Sequence, residues 1–563
     1  MNKPLPIGYE DFKEVVDGNF YYIDKTHMIK SLLDEASKVS LFTRPRRFGK
    51  TLNLSMIRRF FELELDSKGN PIDNGYLFEG MKIQASGERY MSRQGQYPVI
   101  DLSLKSAKQP DFEMAYESLK DEIAKEYRRH ALILDGDSLA EDEKERFRAV
   151  MERRADRIEY AKALEFLSKC LARYHEKQVI ILIDEYDVPL ENAYFKGFYD
   201  EMIDFIRSLF ESALKTNGSL EFAVITGCLR ISRESIFTGL NNLEIYSILG
   251  PRHASSFGFT EEEVREMLSY YELGDKYEEL KEWYDGYRFG DLEIYNPWSI
   301  INYVKTATAD YDAFPKPYWS NTSSNSIIRE LVEEADPATR QEIERLIAGE
   351  TIEKPVHEDI TYGDIHESRD NLWNFLYFTG YLKKVGERQE GDVSYLELAI
   401  PNVEIRSIYR NTILTWFDKK IEKADLTPLF TAIEDGDCEG VGNFLSDQLL
   451  DTISFYDYAE NYYHGFLAGL LKTWQKYQVY SNRESGLGRS DLILKAPSVR
   501  GGAVILELKV TDKFQKMEQC CQQALAQIEE KDYEAGLREE GYSRIQKYGI
   551  CFYRKECLVR KPL

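Results

Sequence analysis

The sequence lacks most of the features that would assign it quickly. Its 563 residues include only 7 cysteines, none in a Cys-x-x-Cys pair, although Cys520 and Cys521 are adjacent. That excludes a zinc framework of paired thiols and reads as reduced, structural cysteine. No run of about 18 apolar residues exists, the length a bilayer core demands, so no segment is expected to span a membrane. The opening "MNKPLPIGYEDF" has no apolar stretch of signal-peptide type, and a cytoplasmic protein is expected. There is no low-complexity tract, long linker or clear internal repeat. Positive charge is short, with 73 Lys and Arg against 97 Asp and Glu, a net charge of −24. Such a surface repels polyanions in bulk, which counts against a nucleic-acid coat over the whole protein but not against a local groove.

What is present is ample core. Apolar content of 43% and aromatic content of 13% are those of a folded chain. At about 150 residues per domain, the length suggests three or four domains. Short, near-continuous β-rich runs at 39–42, "YPVIDLSL" (97–104), "QVIILIDEYD" (178–187) and "EFAVITGCL" (221–229) alternate with long charged helical segments. Strands of that texture are buried on both faces of a parallel sheet, so the N-terminal part is expected to be an α/β layer fold.

The first run leads into "LFTRPRRFGKTLNLSM" (41–56). Gly49, Lys50 and Thr51 stand as in the phosphate-binding pattern Gly-x-x-x-x-Gly-Lys-Ser/Thr, but Arg44 occupies the first glycine position. The loop joins a strand to a helix N-terminus, where orphan N–H groups and the helix dipole receive phosphate. The run at 178–187 ends in Asp184 and Glu185 at a strand's carboxyl end. An aspartate there can hold Mg²⁺ together with the Thr51 oxygen, and the glutamate can polarise an attacking water. The next strand ends at Thr226, which can sense a γ-phosphate. Arg230 or Arg233 can neutralise its charge in cis or across a subunit interface, which leaves a homo-oligomer open.

From about residue 256 the texture turns helical, with Thr260 as an N-cap in "FGFTEEEVREML". At 371–400 an apolar helix runs into a hairpin turning near Gly391-Asp392. That fits a winged-helix subdomain or a plain packing hairpin. The expected organisation is 1–255 as a P-loop domain, 256–370 as a helical lid region, 371–455 as winged-helix-like and helical linker, and 456–563 as a further α/β domain.

In that last region Asp491 opens one strand and "AVILELKV" forms the next, with a turn at Pro497 and Gly501-Gly502. Strand side chains alternate, so Glu507 and Lys509 share a face, and hairpin pairing brings Asp491 beside them. Two carboxylates at one strand edge offer an oxygen site for Mg²⁺, and the lysine can stabilise charge, as phosphodiester hydrolysis requires. His464, four residues after Glu460, is assigned to core or rim. The aromatic clusters "DGNFYYIDK" and "YWSNTSSNS" are assigned to core packing over base stacking. The tail "YSRIQKYGICFYRKECLVRKPL" is basic, and is either a solvated edge or the source of phosphate contacts.

Two resemblances follow. "LPIGYEDFKEVV", "YYIDKT", "RPRRFGKTLNLSM", "LIDEYDVPL", "ITGCLRISRESIFTGLNNL", "FGFTEEEV" and "WYDGYRFG…IYNPWSI" resemble the AAA-ATPase-like family of bacterial and archaeal proteins, from residue 3 to roughly 300. That family is similar to divergent P-loop ATPases, and an arginine-and-proline loop is its usual form. The resemblance implies ATP binding, and less firmly hydrolysis, by Arg44, Arg47, Phe48, Gly49, Lys50, Thr51, Asp184, Thr226, Arg230 and Arg233, with Glu185 catalytic. The C-terminal region resembles the PD-(D/E)XK nuclease superfamily. Asp491 matches its aspartate, Glu507 and Lys509 its terminal pair, Glu460 its helical acid and Gln527 its helical glutamine. Ser490 stands where the name-giving proline would. The implied cofactors are ATP and Mg²⁺, the latter held by Thr51 and Asp184 in one site and by Asp491 and Glu507 in the other. The implied partner is nucleic acid, DNA in the first instance, at the C-terminal domain, and the implied activity is ATP-regulated cleavage. A non-cleaving ATP-operated switch is the alternative.

Overall fold

The computed structural model describes residues 2–562 except 67, 231–235, 238–239, 320–327, 329–335, 358–367, 392, 413–424, 451–459, 473 and 486–487. Strand β1 (Val39–Thr43) is buried along its whole length, as its unbroken run requires if helices cover both faces. It joins β2 (Val99–Ser103), β3 (Val179–Asp184), β4 (Leu220–Gly227) and β5 (Leu243–Tyr246) in one sheet ordered β2-β3-β4-β1-β5. Every pairing is parallel, so all five carboxyl ends lie along one edge, where open α/β sheets bind ligands. The helix Lys50–Phe61 leaves β1 at that edge and buries Leu54, Met56, Ile57, Phe60 and Phe61. Each aromatic so buried is worth about 1.5–3 kcal/mol.

The expected helical texture follows. Thr260 caps the helix Glu261–Tyr270 through a full capping box, its hydroxyl accepting from Glu263 N–H while the Glu263 carboxylate accepts from Thr260 N–H. That helix packs with Tyr277–Tyr284 and Pro297–Ala309 around Leu280, Tyr284 and Tyr303. Lys25 Nζ, 2.6 Å from Glu263 Oε2, fastens the N-terminal segment to it. A short hairpin, β6 (Tyr287–Phe289) with β7 (Leu292–Ile294), lies between the last two helices. Further along come β8 (Ile352–Pro355), the helix Arg369–Phe378, β9 (Lys383–Glu390) and β10 (Val393–Ala399). The anticipated helix-then-hairpin is there, with β8 added in the order β8-β10-β9. Gly391 takes φ +63° at the turn, a left-handed backbone that glycine adopts without strain.

The chain divides into two compact units, 1–323 with 353–405, and 324–352 with 406–563. In the first, Glu404 is fully buried and accepts from Ser299 Oγ and from Trp319 N–H, both at 2.8 Å. Burial pushes its carboxyl up to about 7, outweighing those bonds. A carboxyl raised by folding stabilises while protonated, so its contribution should fall between about pH 4.5 and 7 and then level off, a change of up to about 3 kcal/mol. Glu404→Gln, which cannot ionise, should flatten the pH dependence of the melting temperature over that window. A variant profile parallel to the native one would refute the assignment.

The second unit is built on β11 (Gln478–Ser485), β12 (Gly488–Lys495), β13 (Ala503–Val510), β14 (Ile545–Tyr553) and β15 (Glu556–Arg560), paired in that order. Only β13 and β14 run parallel. Leu492, Leu506 and Leu508 face a core shared with Phe466 and Leu467 of the helix Glu460–Lys472. Ile493 and Ile505 point the other way, onto Leu525 and Ile528 of the helix Met517–Glu530. Among the described residues, no helix is long and apolar enough to cross a membrane.

Candidate functional site

The loop after β1 closes as its glycine demands. Gly49 takes φ +81° as the residue before the helix Lys50–Phe61, and open space surrounds the place a Cβ would occupy. Lys50 Nζ lies inside the loop, donating to the carbonyls of Arg44 (2.9 Å) and Pro45 (3.0 Å). Thr51 Oγ1 donates to Asp184 Oδ2 at 2.6 Å, and Thr226 Oγ1 donates to the other Asp184 oxygen. The carboxyl end of β3 is thus brought onto the first turn of the helix.

Beside this group opens a cavity of about 400 Å³. Its polar lining includes Arg46, Arg47, Lys50, Thr51, Lys105 and Glu185, and its apolar lining includes Tyr21, Ile23, Phe259, Met267, Trp298 and Ile301. A lining that combines basic side chains at a helix N-terminus with aromatic rings suits a nucleotide's phosphates and base. Glu185 sits at φ +53°, a backbone conformation that a side chain adopts only when its surroundings impose it. Burial, reinforced by the adjacent Asp184 charge, raises its carboxyl above the ordinary range.

The residues named from sequence do not all serve as assigned. Arg44 is a correction. Its guanidinium is 0% exposed, donating to the carbonyls of Thr43 (2.8 Å), Tyr246 (2.7 Å) and His253 (3.4 Å), between the rings of Phe257 and Phe289. Burial pulls it down to about 9. It faces inward, and only its backbone carbonyl belongs to the loop's cradle. Thr226 is likewise turned onto Asp184, so it orients that carboxylate and does not line the cavity. Arg47 lines the cavity, its guanidinium 4.4 Å over the Trp298 ring. Phe48 lines it too, its ring 5.0 Å from that of Tyr287. Arg230 does not line it, and Arg233 lies outside the described residues. Asp187 accepts from the N–H groups of Cys228 (2.8 Å) and Leu229 (3.1 Å), which pins the exit of β4.

Lys105 and Glu10 escaped the sequence reading. Lys105 Nζ is 2.7 Å from Glu10 Oε1, so the N-terminal segment reaches across to the loop after β2. Lys105 follows a strand end at the ligand-binding edge, which was a usable signal. Tyr21, assigned to packing, meets Tyr270 and Tyr271 with its ring tilted against theirs and also borders the cavity.

In the second unit Asp491 and Glu507 converge across the β12–β13 pairing. Leu508 N–H donates to Asp491 Oδ2 at 2.8 Å, and Asp491 N–H donates to Glu507 Oε2 at 3.4 Å. Glu507 is 1% exposed. Lys509 Nζ stands 3.4 Å from its Oε1, and Gln527 Nε2 donates to the same oxygen. The helix carrying Gln527 comes this close because Gly549 pairs with Glu507, and a Cβ there would lie 2.5 Å from the Cys521 carbonyl. Burial first, then the Asp491 charge, pushes the Glu507 carboxyl up to about 7. Two carboxylates with a neighbouring lysine fit a hydrated Mg²⁺, which takes one or two carboxylates and completes its shell with water and substrate oxygens. His464 Nε2 is 2.9 Å from the Asp491 carbonyl and 3.2 Å from Ser481 Oγ, a rim position. Glu460 begins its helix, and its side chain lies outside the described residues.

The basic tail is largely neutralised within its own unit. Lys547 pairs with Glu529 and Glu534, Lys555 with Glu344 and Arg560 with Glu518, while Lys561 donates to the Gly436 carbonyl. Arg544 and Arg554 are exposed and form no ion pair among the described residues, so most of the tail's charge, but not all of it, is committed internally.

Residues 6–237 match the family model described as predicted AAA-ATPase. Residues 458–561 match that of the PD-(D/E)XK nuclease superfamily. The chain is also 26% identical over 415 residues to an uncharacterized protein in the vnfD 5′ region of Azotobacter chroococcum mcd 1, an alignment covering 73% of this chain and 70% of that protein.

Proposed function

Because the chain carries an AAA-ATPase-like domain and a PD-(D/E)XK nuclease superfamily domain, we propose that it binds and hydrolyses ATP with the first. Under control of that cycle it cleaves nucleic acid, DNA in the first instance, with the second. The observation that carries this reading is the convergence of Asp491, Glu507, Lys509 and Gln527 on one face of the sheet. Mg²⁺ bound at such a pair of carboxylates supplies Lewis-acid charge to a phosphodiester. Lys509 is placed to hold a water or to offset charge growing on the phosphate oxygens. Gln527 fixes the Glu507 carboxylate, an outer contact of the kind that sets a ligand's orientation.

In the first unit Lys50, which donates to the carbonyls of Arg44 and Pro45, is the residue that would meet the nucleotide's phosphates. Thr51 and Asp184 are the residues that would hold Mg²⁺, Thr226 orients Asp184, and Glu185 would take the proton of the attacking water. Arg46, Arg47 and Lys105 line the same cavity and would supply positive charge to the phosphates, Arg46 by parting from Glu191 and Lys105 from Glu10.

Lys50→Ala should weaken ATP binding in calorimetry by roughly 10- to 150-fold, the range for removing a charged hydrogen bond, with little change in melting temperature. Unchanged affinity in the folded variant would overturn the ATP site. The activity itself is tested by incubating labelled DNA and RNA with the native chain and Mg²⁺, with and without ATP. The reading without cleavage is an ATP-operated switch that only binds nucleic acid or a partner, and the internal pairing of much of the basic tail favours its partner-binding form. Absence of cutting under every condition would establish it over the nuclease.

A further inference from the structure

The segment that leaves β13 immediately after the Glu507–Lys509 pair carries an exposed aromatic among cations. It reads Thr511-Asp512-Lys513-Phe514-Gln515-Lys516 and ends in a single 3₁₀ turn, Phe514–Lys516, before the helix Met517–Glu530. A large aromatic is expensive to leave in water, yet Phe514 is 60% exposed. One edge of it meets Tyr553, with ring centroids 6.1 Å apart at 69°. The Arg554 guanidinium lies 5.5 Å from the centroid of that same Tyr553 ring.

Register places this group at the catalytic end of the sheet. Val510 pairs with Phe552, and Thr511 N–H donates to the Phe552 carbonyl at 3.0 Å. Tyr553 is therefore level with the start of the segment. It shares the sheet face of Cys551, which pairs with Lys509. Lys513, Lys516 and Arg554 are exposed and form no ion pair among the described residues, whereas most of the tail's other cations do. The exposed acids among them are Asp512 and Glu556. Cations left unpaired around an exposed aromatic, on a chain of net charge −24, mark a small anion-attracting spot with a flat apolar centre.

We infer that Phe514, with Tyr553 behind it and Lys513, Lys516 and Arg554 around it, is a stacking platform for unpaired bases of a single-stranded nucleic acid. This rests on the nuclease reading of the Asp491 and Glu507 cluster and specifies its substrate class. A duplex keeps its bases stacked on one another and offers mainly phosphate, for which a broad basic surface is the fit. A single strand exposes π-faces that an aromatic binds without regard to sequence, while a few cations track its backbone. The chain has the second arrangement and lacks the excess charge for the first.

The test uses the full chain without Mg²⁺, and fluorescence anisotropy with a labelled 20-nucleotide single strand and the same sequence as a blunt duplex. The native chain should prefer the single strand. Phe514→Ala should weaken that binding by roughly 5- to 150-fold, the range for one stacked base, and Phe514→Trp should restore it. Lys513→Gln with Lys516→Gln should reduce the slope of log affinity against log salt by about 0.7 for each phosphate no longer neutralised. Unchanged single-strand affinity in Phe514→Ala overturns the platform. So does displacement of the strand by poly-glutamate at equal charge, which would reveal a mere anion patch or a site for an acidic peptide. If Phe514→Ala binds as the native chain does while Asp491→Asn still stops cutting, the nuclease reading survives and the platform alone falls. If the native chain binds neither oligonucleotide at low salt, both fall.

Discussion

Asp491→Asn is expected to take Mg²⁺-dependent cleavage down to the assay background while leaving the fold intact. The substitution is nearly isosteric, and an asparagine carbonyl can still accept the Leu508 N–H that Asp491 Oδ2 takes at 2.8 Å. What it removes is charge, and with it one of the two carboxylates that would fix Mg²⁺ in position at the reacting phosphate. Glu507→Gln should act alike on cleavage, and should raise stability slightly at high pH, because it removes an ionisable group held 1% exposed. Lys509→Ala should lower the rate by roughly 10²- to 10³-fold, with little effect on affinity, because its charge is aimed at the reacting phosphate. Gel-based cleavage of end-labelled strands, with melting curves on the same preparations, separates the cases. A folded Asp491→Asn that cuts at the native rate would end the metal-site assignment.

Glu185→Gln should slow ATP turnover by roughly 10²- to 10⁴-fold, the usual worth of a positioned general base. Bound ATP should accumulate, because the loop, Lys50, Thr51 and Asp184 are untouched. The left-handed backbone at Glu185, φ +53°, is as available to glutamine as to glutamate, so the change is chemical and not conformational. Filter retention of labelled ATP beside phosphate release distinguishes trapping from failure to bind. A native hydrolysis rate would move the role to another residue. Asp187 is a poor successor, since two backbone N–H groups already hold one of its oxygens.

The parts legible from sequence were those in which local pattern decides structure. Near-continuous apolar runs announced β1 to β4, because a strand covered on both faces carries few polar positions. β5, only Leu243–Tyr246 and interrupted by Glu244, gave no such run. Strand alternation was enough to put Glu507 and Lys509 together, and a turn between two strands was enough to add Asp491. Where a side chain turns at a loop is a different matter. Arg44 sits at a phosphate-loop position yet faces the core, because the carbonyls of Tyr246 and His253, some 200 residues later, accept its protons. The cavity was illegible for the same reason. Tyr21, Lys105, Met267 and Trp298 come from four distant segments, and no spacing within one segment foretells their meeting.

The inward Arg44 also bears on how tightly the first site can bind. Glycine-rich phosphate loops are conformationally free when empty, and a ligand must meet the entropy of ordering them, on the order of 1–2 kcal/mol per residue fixed. Here the loop's first residue is already fixed. Its N–H donates to the Gly227 carbonyl of β4 at 3.0 Å, while its guanidinium grips the ends of β1 and β5. Folding itself therefore immobilises the start of the loop, and a nucleotide arrives at a cradle whose rigidity has already been met from the protein's own stability. Losing the first glycine thus exchanges a supple loop that closes on its ligand for a preorganised one.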